Sequence, residues 1–338
     1  MVSIGLSLGE FYLKIGIYGF GSIGRLLAKV ALERGHELIG VVDIDPKIAG
    51  KDAGELVGVG ELGIEVSKDP EVLSDADVVL HATKSYLDEI YDQILTLIDM
   101  GLNTISTCET LAYPYYRYPV LARKINEKAL ANGVVVLGTG INPGFILDTL
   151  IITLSAPFDT VKSIRAIRSI NAEKRRTPFK KKIGIGLKPE EFIDKLKKGE
   201  LTGHVGYAES VLLIADAAEV HLSKVIENQE PVIAANDMKI GDYLIEKGTV
   251  IGIKGYGIGY IGDKEAIRIE LHAFLGANDY EEIQIEGKNY TISWKSTGTP
   301  GDLGTASVVL SIAEKVYTYP TGLITMADIV SFKIHIKP

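Results

Sequence analysis

The stretch Gly19-Phe20-Gly21-Ser22-Ile23-Gly24 decides the fold. Before it, Leu13-Lys14-Ile15-Gly16-Ile17-Tyr18 reads as a buried first strand. After it, Ile23, Leu26, Leu27, Val30 and Ala31 recur at helical spacing on one face, and Gly35 ends the helix. A second strand, Glu37-Leu38-Ile39-Gly40-Val41-Val42, runs into Asp43, 19 positions after Gly24. A strand, a GxGxxG turn, a helix, a second strand and an acid, in that order, form a dinucleotide-binding unit rather than a merely structural glycine turn. Gly19 makes the tight turn, Gly21 admits a pyrophosphate, and Gly24 lets helix and strand pack closely. Ser22 and Ile23 complete the cofactor-binding turn, and Asp43 is placed to hydrogen-bond a ribose hydroxyl. A nicotinamide cofactor narrows the chemistry to hydride transfer.

Working outward, the 338 residues suffice for two domains. The net charge of −8 argues against a nucleic-acid binder, which needs a basic surface to displace counterions. No apolar run reaches the length of a membrane span, and no signal peptide is expected. Cys108 is the only cysteine, which excludes a disulfide framework and points to the cytoplasm. The six histidines are scattered, so no metal site is expected.

From Leu13 to about Gly140 strands and helices alternate. The expected strands are Ala76–His81, Leu102–Thr107 and Val134–Leu137, with a helix at Tyr86–Met100. This predicts a doubly wound parallel α/β sheet of the Rossmann kind over residues 1–142. Residues 143–300 read as an α+β domain for substrate binding and oligomerisation. Its sheet is expected to be largely antiparallel, with a hairpin turn at Gly287-Lys288-Asn289. Helices are expected at 145–154, 190–197 and 206–226. Residues 301–338 are expected to hold a last helix, near 303–316, and a tail packing back near the first domain.

Ligands of an open parallel sheet bind beyond the carboxyl ends of its strands. Thr83 and Ser85, past one such end, are assigned to cofactor contact, whereas His81 reads as structural, satisfied by a backbone partner. Cys108 reads as small packing. Glu109 is either a base with a raised pKa or the cap of the following helix. Arg168 shares a strand face with Ile164, Ala166 and Ile170, so it needs an anion: a substrate carboxylate or an ion-pair partner across a subunit interface. The run from Lys174 to Lys182 reads mostly as a solvated loop from which Arg175 or Arg176 reaches the site. His204, between Gly203 and Gly206, reads as a substrate contact or a helix cap.

These residues, with Ser106-Thr107-Cys108-Glu109 and Gly138-Thr139-Gly140-Ile141-Asn142-Pro143-Gly144-Phe145, resemble 2,4-diaminopentanoate dehydrogenase and the related native amine dehydrogenases. The resemblance covers about Leu13 to Ile329. It implies a first domain similar to that of dihydrodipicolinate reductase, Glu109 as the catalytic residue, and Asn142, Arg168 and His204 lining the substrate pocket. The reductase itself would show adjacent histidines, a lysine and a Pro-Ser-Gly-Thr turn; this chain has Asn171-Ala172-Glu173-Lys174-Arg175-Arg176 there and no adjacent histidines. The expectation is an NAD(P)-dependent amine dehydrogenase acting on a small amine or ketone with ammonia, as a cytoplasmic homodimer. The rivals are a reductase of a cyclic imine or amino-acid semialdehyde, and a non-catalytic NAD(P) sensor. Asp43 favours NAD, but Lys47 and Lys51 offset its repulsion of a 2′-phosphate, so both cofactors stand.

Overall fold

The computed structural model describes residues 12–240, 243–330 and 333–338; residues 1–11 of the expected first domain lie outside them. In chain order the elements begin with β1 (Lys14–Tyr18), α1 (Ser22–Glu33), β2 (Glu37–Val42), α2 (Ala53–Val57) and β3 (Val66–Ser67). Then come β4 (Val78–His81), α3 (Leu87–Asp99), β5 (Asn103–Ser106), α4 (Pro114–Arg117), α5 (Pro119–Asn132), β6 (Val135–Gly138) and α6 (Thr149–Ser155). β7 (Val161–Asn171), α7 (Thr177–Lys182), α8 (Pro189–Lys197), α9 (Tyr207–Ala217) and β8 (Lys224–Ile233) follow. The short pair β9 (Met238–Ile240) and β10 (Tyr243–Ile245) precedes β11 (Val250–Ile261), β12 (Lys264–Phe274), β13 (Tyr280–Gly287) and β14 (Thr291–Ser296). α10 (Gly301–Ala313) and a strand at Gly322–Ile324 complete the set.

The chain forms two compact units. Among the described residues, the first comprises 12–108, 118–137 and 305–324; the second comprises 109–117, 138–240, 243–304, 325–330 and 333–338. The expected boundaries at 142 and 300 therefore move. The Glu109 segment belongs to the second unit, and so does the tail after 324, whose Lys337 N–H donates to the Val161 carbonyl.

The first unit holds a seven-stranded sheet. Its order runs from the Gly322–Ile324 edge through β6, β5, β4, β1 and β2 to β3. β1 pairs with β2 and β4, β4 with β5, β2 with β3 and β6 with the edge strand, all in parallel. This is the doubly wound order, with its reversal between β1 and β4. Ile15, Ile17, Val78, Val79 and Leu80 of the strands are buried, as are Leu27 and Ala31 of α1 and Ile90 and Ile94 of α3. Each large apolar side chain enclosed in this way stabilises the fold by roughly 1.5–3 kcal/mol.

The second unit is built on a six-stranded sheet in the order β14-β13-β7-β12-β11-β8. β7 and β12 run parallel and the other neighbours antiparallel, so the sheet is mixed. The Gly287-Lys288-Asn289 hairpin forms as expected between β13 and β14. α9 lies on this sheet because Gly255, Gly257 and Gly259 of β11 make room: a Cβ at these positions would meet the Tyr207 ring, the Tyr207 backbone, or Val211 and Leu222. α9 ends at Ala217, short of the expected 226, and the chain reverses through Glu219 (φ 52°) so that Ile226 can pair with Ile258. α6 starts at Thr149 rather than 145, because the Asp148 carboxylate bonds the N–H groups of Gly144 and Thr149 and closes 144–148 into a turn.

Candidate active site

The glycine turn of the first unit fits a dinucleotide position by position. Gly19 has φ 93°, and a Cβ there would lie 2.6 Å from the Ala82 carbonyl oxygen, so only glycine serves. A Cβ on Gly24 would overlap the Gly19 carbonyl oxygen, which is the close helix–strand approach expected of it. A Cβ on Gly21 would meet no heavy atom within 4 Å, so this position opens toward solvent where a pyrophosphate must approach. Gly21 is also the N-cap of α1 and supplies no side-chain cap, leaving the first N–H groups of Ser22, Ile23 and Gly24 for an anion. Asp43 Oδ2 accepts from the Phe20 N–H at 2.5 Å and Oδ1 from the Asp45 N–H at 2.8 Å. The acid thus fixes the turn, and its remaining lone pairs stay available to a hydroxyl.

His81 is structural, but its partners are side chains rather than the expected backbone. Nδ1 meets Ser106 Oγ at 2.9 Å and Nε2 meets Gln93 Oε1 at 2.8 Å. Burial pushes its pKa down to about 4, so the ring is neutral. Thr83 Oγ1 donates to the same Gln93 oxygen, and its methyl lies close to Gly19, as a residue beside the cofactor turn should. The Ser85 carbonyl accepts from the Cys108 thiol, which is buried as expected of small packing.

The second unit assembles the other predicted residues. Glu109 opens a single 3₁₀ turn, Glu109–Leu111, and its Oε1 accepts from Lys182 Nζ at 2.8 Å. That turn runs tightly past Gly138, where a Cβ would strike the Leu111 and Ala112 backbone. Further along, Arg117 of α4 bonds both Glu209 of α9 and Glu227 of β8, tying the Glu109-bearing segment to the sheet. Lys182 ends α7, and its carbonyl accepts from the Gly203 N–H at 3.0 Å. The neighbouring His204 N–H donates to Gln229 Oε1 at 2.9 Å. The glycines beside His204 face the protein itself: Cβ atoms on Gly203 and Gly206 would hit Gln229 and Pro143. The α9 N-cap is Gly206, so His204 does not cap this helix; its ring stands edge-on to Tyr207, with centroids 4.7 Å apart.

Burial, followed by the Lys182 ammonium, pushes the His204 pKa down to about 3, against the pull of Glu109; Arg168 adds to the downward push. His204 is therefore a neutral imidazole among Glu109, Lys182 and Arg168.

Arg168 is 2 % exposed and shares its buried face with Ile164, Ala166 and Ile170, as the alternation required. Its anion is Glu281, which is 1 % exposed, with Nε 3.2 Å from Oε1. Nη1 donates to Asn142 Oδ1 at 3.3 Å and Nη2 to the Thr299 carbonyl at 2.9 Å. The expected direct grip on a substrate carboxylate gives way to this internal pairing: Arg168 orients Asn142, whose buried Nδ2 has no protein partner among the described residues. Arg175 and Arg176 both bond Asp302 rather than reaching the site, and Thr177–Lys182 forms α7 in place of the expected loop, while Lys174 and Lys181 are solvent-exposed as expected of most of the run.

Lys182, Arg117, Tyr207 and Gln229 escaped the sequence reading. Lys182 lay inside the basic run; the Thr177-Pro178 helix start and the apolar Phe179 were the signals of an ordered segment there.

Comparison with known proteins accords with this geometry. A family model described as 2,4-diaminopentanoate dehydrogenase C-terminal domain matches residues 145–336, and one described as dihydrodipicolinate reductase, N-terminus, matches residues 13–106. The chain is 31% identical over 331 residues to a 2,4-diaminopentanoate dehydrogenase of Acetoanaerobium sticklandii, covering 94% of this chain and 93% of the relative. Over 73 residues it is 38% identical to a 4-hydroxy-tetrahydrodipicolinate reductase of Acinetobacter baylyi, covering 21% of this chain and 27% of that protein. The solved structure of an amine dehydrogenase from Mycobacterium smegmatis superposes with a TM-score of 0.83 at 22% identity, covering 96% of this chain and 97% of that one.

Proposed function

The chain belongs to the 2,4-diaminopentanoate dehydrogenase family, and from that premise we propose that it oxidises 2,4-diaminopentanoate to 2-amino-4-oxopentanoate and ammonia and runs the reverse reductive amination. It is an NAD(P)-dependent oxidoreductase acting on a CH–NH2 group. In sequence, the match to the reductase family falls on residues 13–106, whereas the 2,4-diaminopentanoate dehydrogenase match takes in residues 145–336, which favours the amine dehydrogenase over the cyclic-imine reductase.

Gly19, Gly21, Ser22, Ile23 and Gly24 would hold the cofactor pyrophosphate and Asp43 the adenosine ribose, and Thr83 and Ser85 would contact the cofactor beside them. A bound NAD(P)+ would supply the acceptor for the hydride of the carbon bearing the amine, so that the substrate enters the next step as its iminium. Glu109 then removes a proton from water as the water oxygen bonds to the iminium carbon. The carbinolamine collapses as its hydroxyl proton passes to solvent water, the C–N bond breaks, and Glu109 returns its proton to the departing nitrogen, which leaves as ammonia. His204, uncharged, donates or accepts a hydrogen bond without competing for protons near neutrality. Asn142 offers its unpaired Nδ2 to the substrate and is kept in place by Arg168.

The observation that carries this reading is Glu109, held by Lys182 beside a neutral His204. The test is a screen in the oxidative direction with 2,4-diaminopentanoate and carboxylate-free amines under NAD+ and NADP+. Reduced cofactor forming with the diamino acid supports the proposal; no reduced cofactor with any amine overturns it. We also read the protein as a cytoplasmic homodimer. With α9 on the Gly255-Gly257-Gly259 side of β11, the opposite side carries Lys254, Tyr256, Arg268, Glu270 and His272, a mixed polar and aromatic surface suited to a second copy.

A further inference from the structure

The geometry points to Lys182 as the residue that makes the amine subsite accept neutral ammonia and free amine in preference to their protonated forms; this rests on the amine dehydrogenase reading above. Lys182 reaches Glu109 from a fixed base. Its carbonyl is bonded by the Gly203 N–H, the adjoining His204 N–H is bonded by Gln229, and Gln229 Nε2 in turn donates to the Thr202 carbonyl at 3.0 Å. The 202–204 loop therefore anchors the end of α7 and aims the ammonium at Glu109 Oε1, 2.8 Å away. The pair is half-buried, so water screens it only in part.

Charged and titratable groups from four elements act around this point: Glu109 from the turn after β5, Lys182 from α7, His204 from the loop before α9, and Arg168 from β7. Tyr207 and Glu227 lie beyond His204. His204 is neutral, and Arg168 is matched by Glu281. Glu109 thus already has its cation. A substrate ammonium arriving at Glu109 meets the Lys182 charge at close range, and like charges disfavour the protonated form. A neutral amine meets no such repulsion, and it alone has the nitrogen lone pair that assists hydride loss from the adjacent carbon. In the reverse direction the same charge admits NH3, the nucleophile, over NH4+.

The experiment is the pH dependence of KM for total ammonia in reductive amination of 2-amino-4-oxopentanoate, in wild type, Lys182→Met and Lys182→Arg. An enzyme that takes NH3 shows KM for total ammonia falling about tenfold per pH unit while ammonium dominates in solution. The wild type and Lys182→Arg are expected to show that slope, and Lys182→Met a KM that varies less than about twofold over the same range. A purely structural role for Lys182 would lower kcat at every pH and leave the slope intact, which overturns the inference. A fall in KM for Lys182→Met with an unchanged slope overturns it as well, since Lys182 would then only be a placeholder displaced by substrate. Wild type without ammonia-dependent oxidation of reduced cofactor would mean instead that the functional reading has failed, and the inference with it.

Discussion

Arg168 and Glu281 face each other inside the second unit, 3.2 Å apart and with 2 % and 1 % of their side chains exposed. Glu281 also accepts from the Thr299 N–H at 2.9 Å, so the pair braces the strand that carries Arg168 and the loop that leads to α10. Removing one partner from such an enclosed pair leaves the other charge without compensation. Glu281→Ala should therefore destabilise the protein by about 3–5 kcal/mol. Urea unfolding of variant and wild type would check this; a loss below about 1 kcal/mol would show that the pair is not a structural element.

His81 sets an acid limit on stability. Its pKa is depressed from 6.5 to about 4 in the folded chain. The folded state therefore binds its proton less readily than the unfolded state does. The resulting stabilisation is complete above pH 6.5 and is lost as the pH falls toward 4. The loss amounts to about 3 kcal/mol. His81→Gln should unfold with a flatter dependence on pH across this window, whatever its stability at pH 7. Equal slopes for the two proteins would remove His81 as the cause.

The glycine turn yields a contrast between neighbours. Gly24→Ala forces a Cβ into the Gly19 carbonyl oxygen and should cost about 1–3 kcal/mol in unfolding free energy. Gly21→Ala adds a methyl where no protein atom lies within 4 Å. It should leave stability within about 0.5 kcal/mol while raising Kd for NAD(P)H about tenfold or more. Fluorescence titration with the reduced cofactor, alongside thermal melts, separates the two effects. A Gly21→Ala protein that binds normally would move the pyrophosphate elsewhere.

Glu109→Gln keeps the size of the side chain and removes the base. Its kcat for amine oxidation should fall by about 10²–10⁴, with Kd for NAD(P)H unchanged within about twofold. Stopped-flow measurement of reduced-cofactor formation at saturating amine tests the first part. Full activity in this variant would transfer the base role away from Glu109.

Much of the first unit could be read directly from the chain. β1, α1 and β2 form where Lys14–Tyr18, Ser22–Glu33 and Glu37–Val42 lie, because each buries its apolar pattern against immediate sequence neighbours. The glycine roles were equally legible, since backbone conformation and side-chain absence are local properties. The second unit was harder. Asp148, closing a turn onto Gly144 and Ser210, cut the helix expected from 145, and no periodicity announces a carboxylate buried for that purpose.

Composition and spacing by themselves determined the dinucleotide fold and the inward face of Arg168, because alternation along one strand suffices to say which residues face inward, while for Glu109 they left a base and a helix cap both open. Only the tertiary structure decided what those inward residues meet. Glu281 lies 113 positions beyond Arg168, and Lys182 lies 73 beyond Glu109. An ion pair requires two charges to converge in space, and strand order and loop anchoring, which depend on the whole folded chain, bring them together. The same convergence turned His204 from a capping candidate into a neutral imidazole beside Lys182 and Glu109.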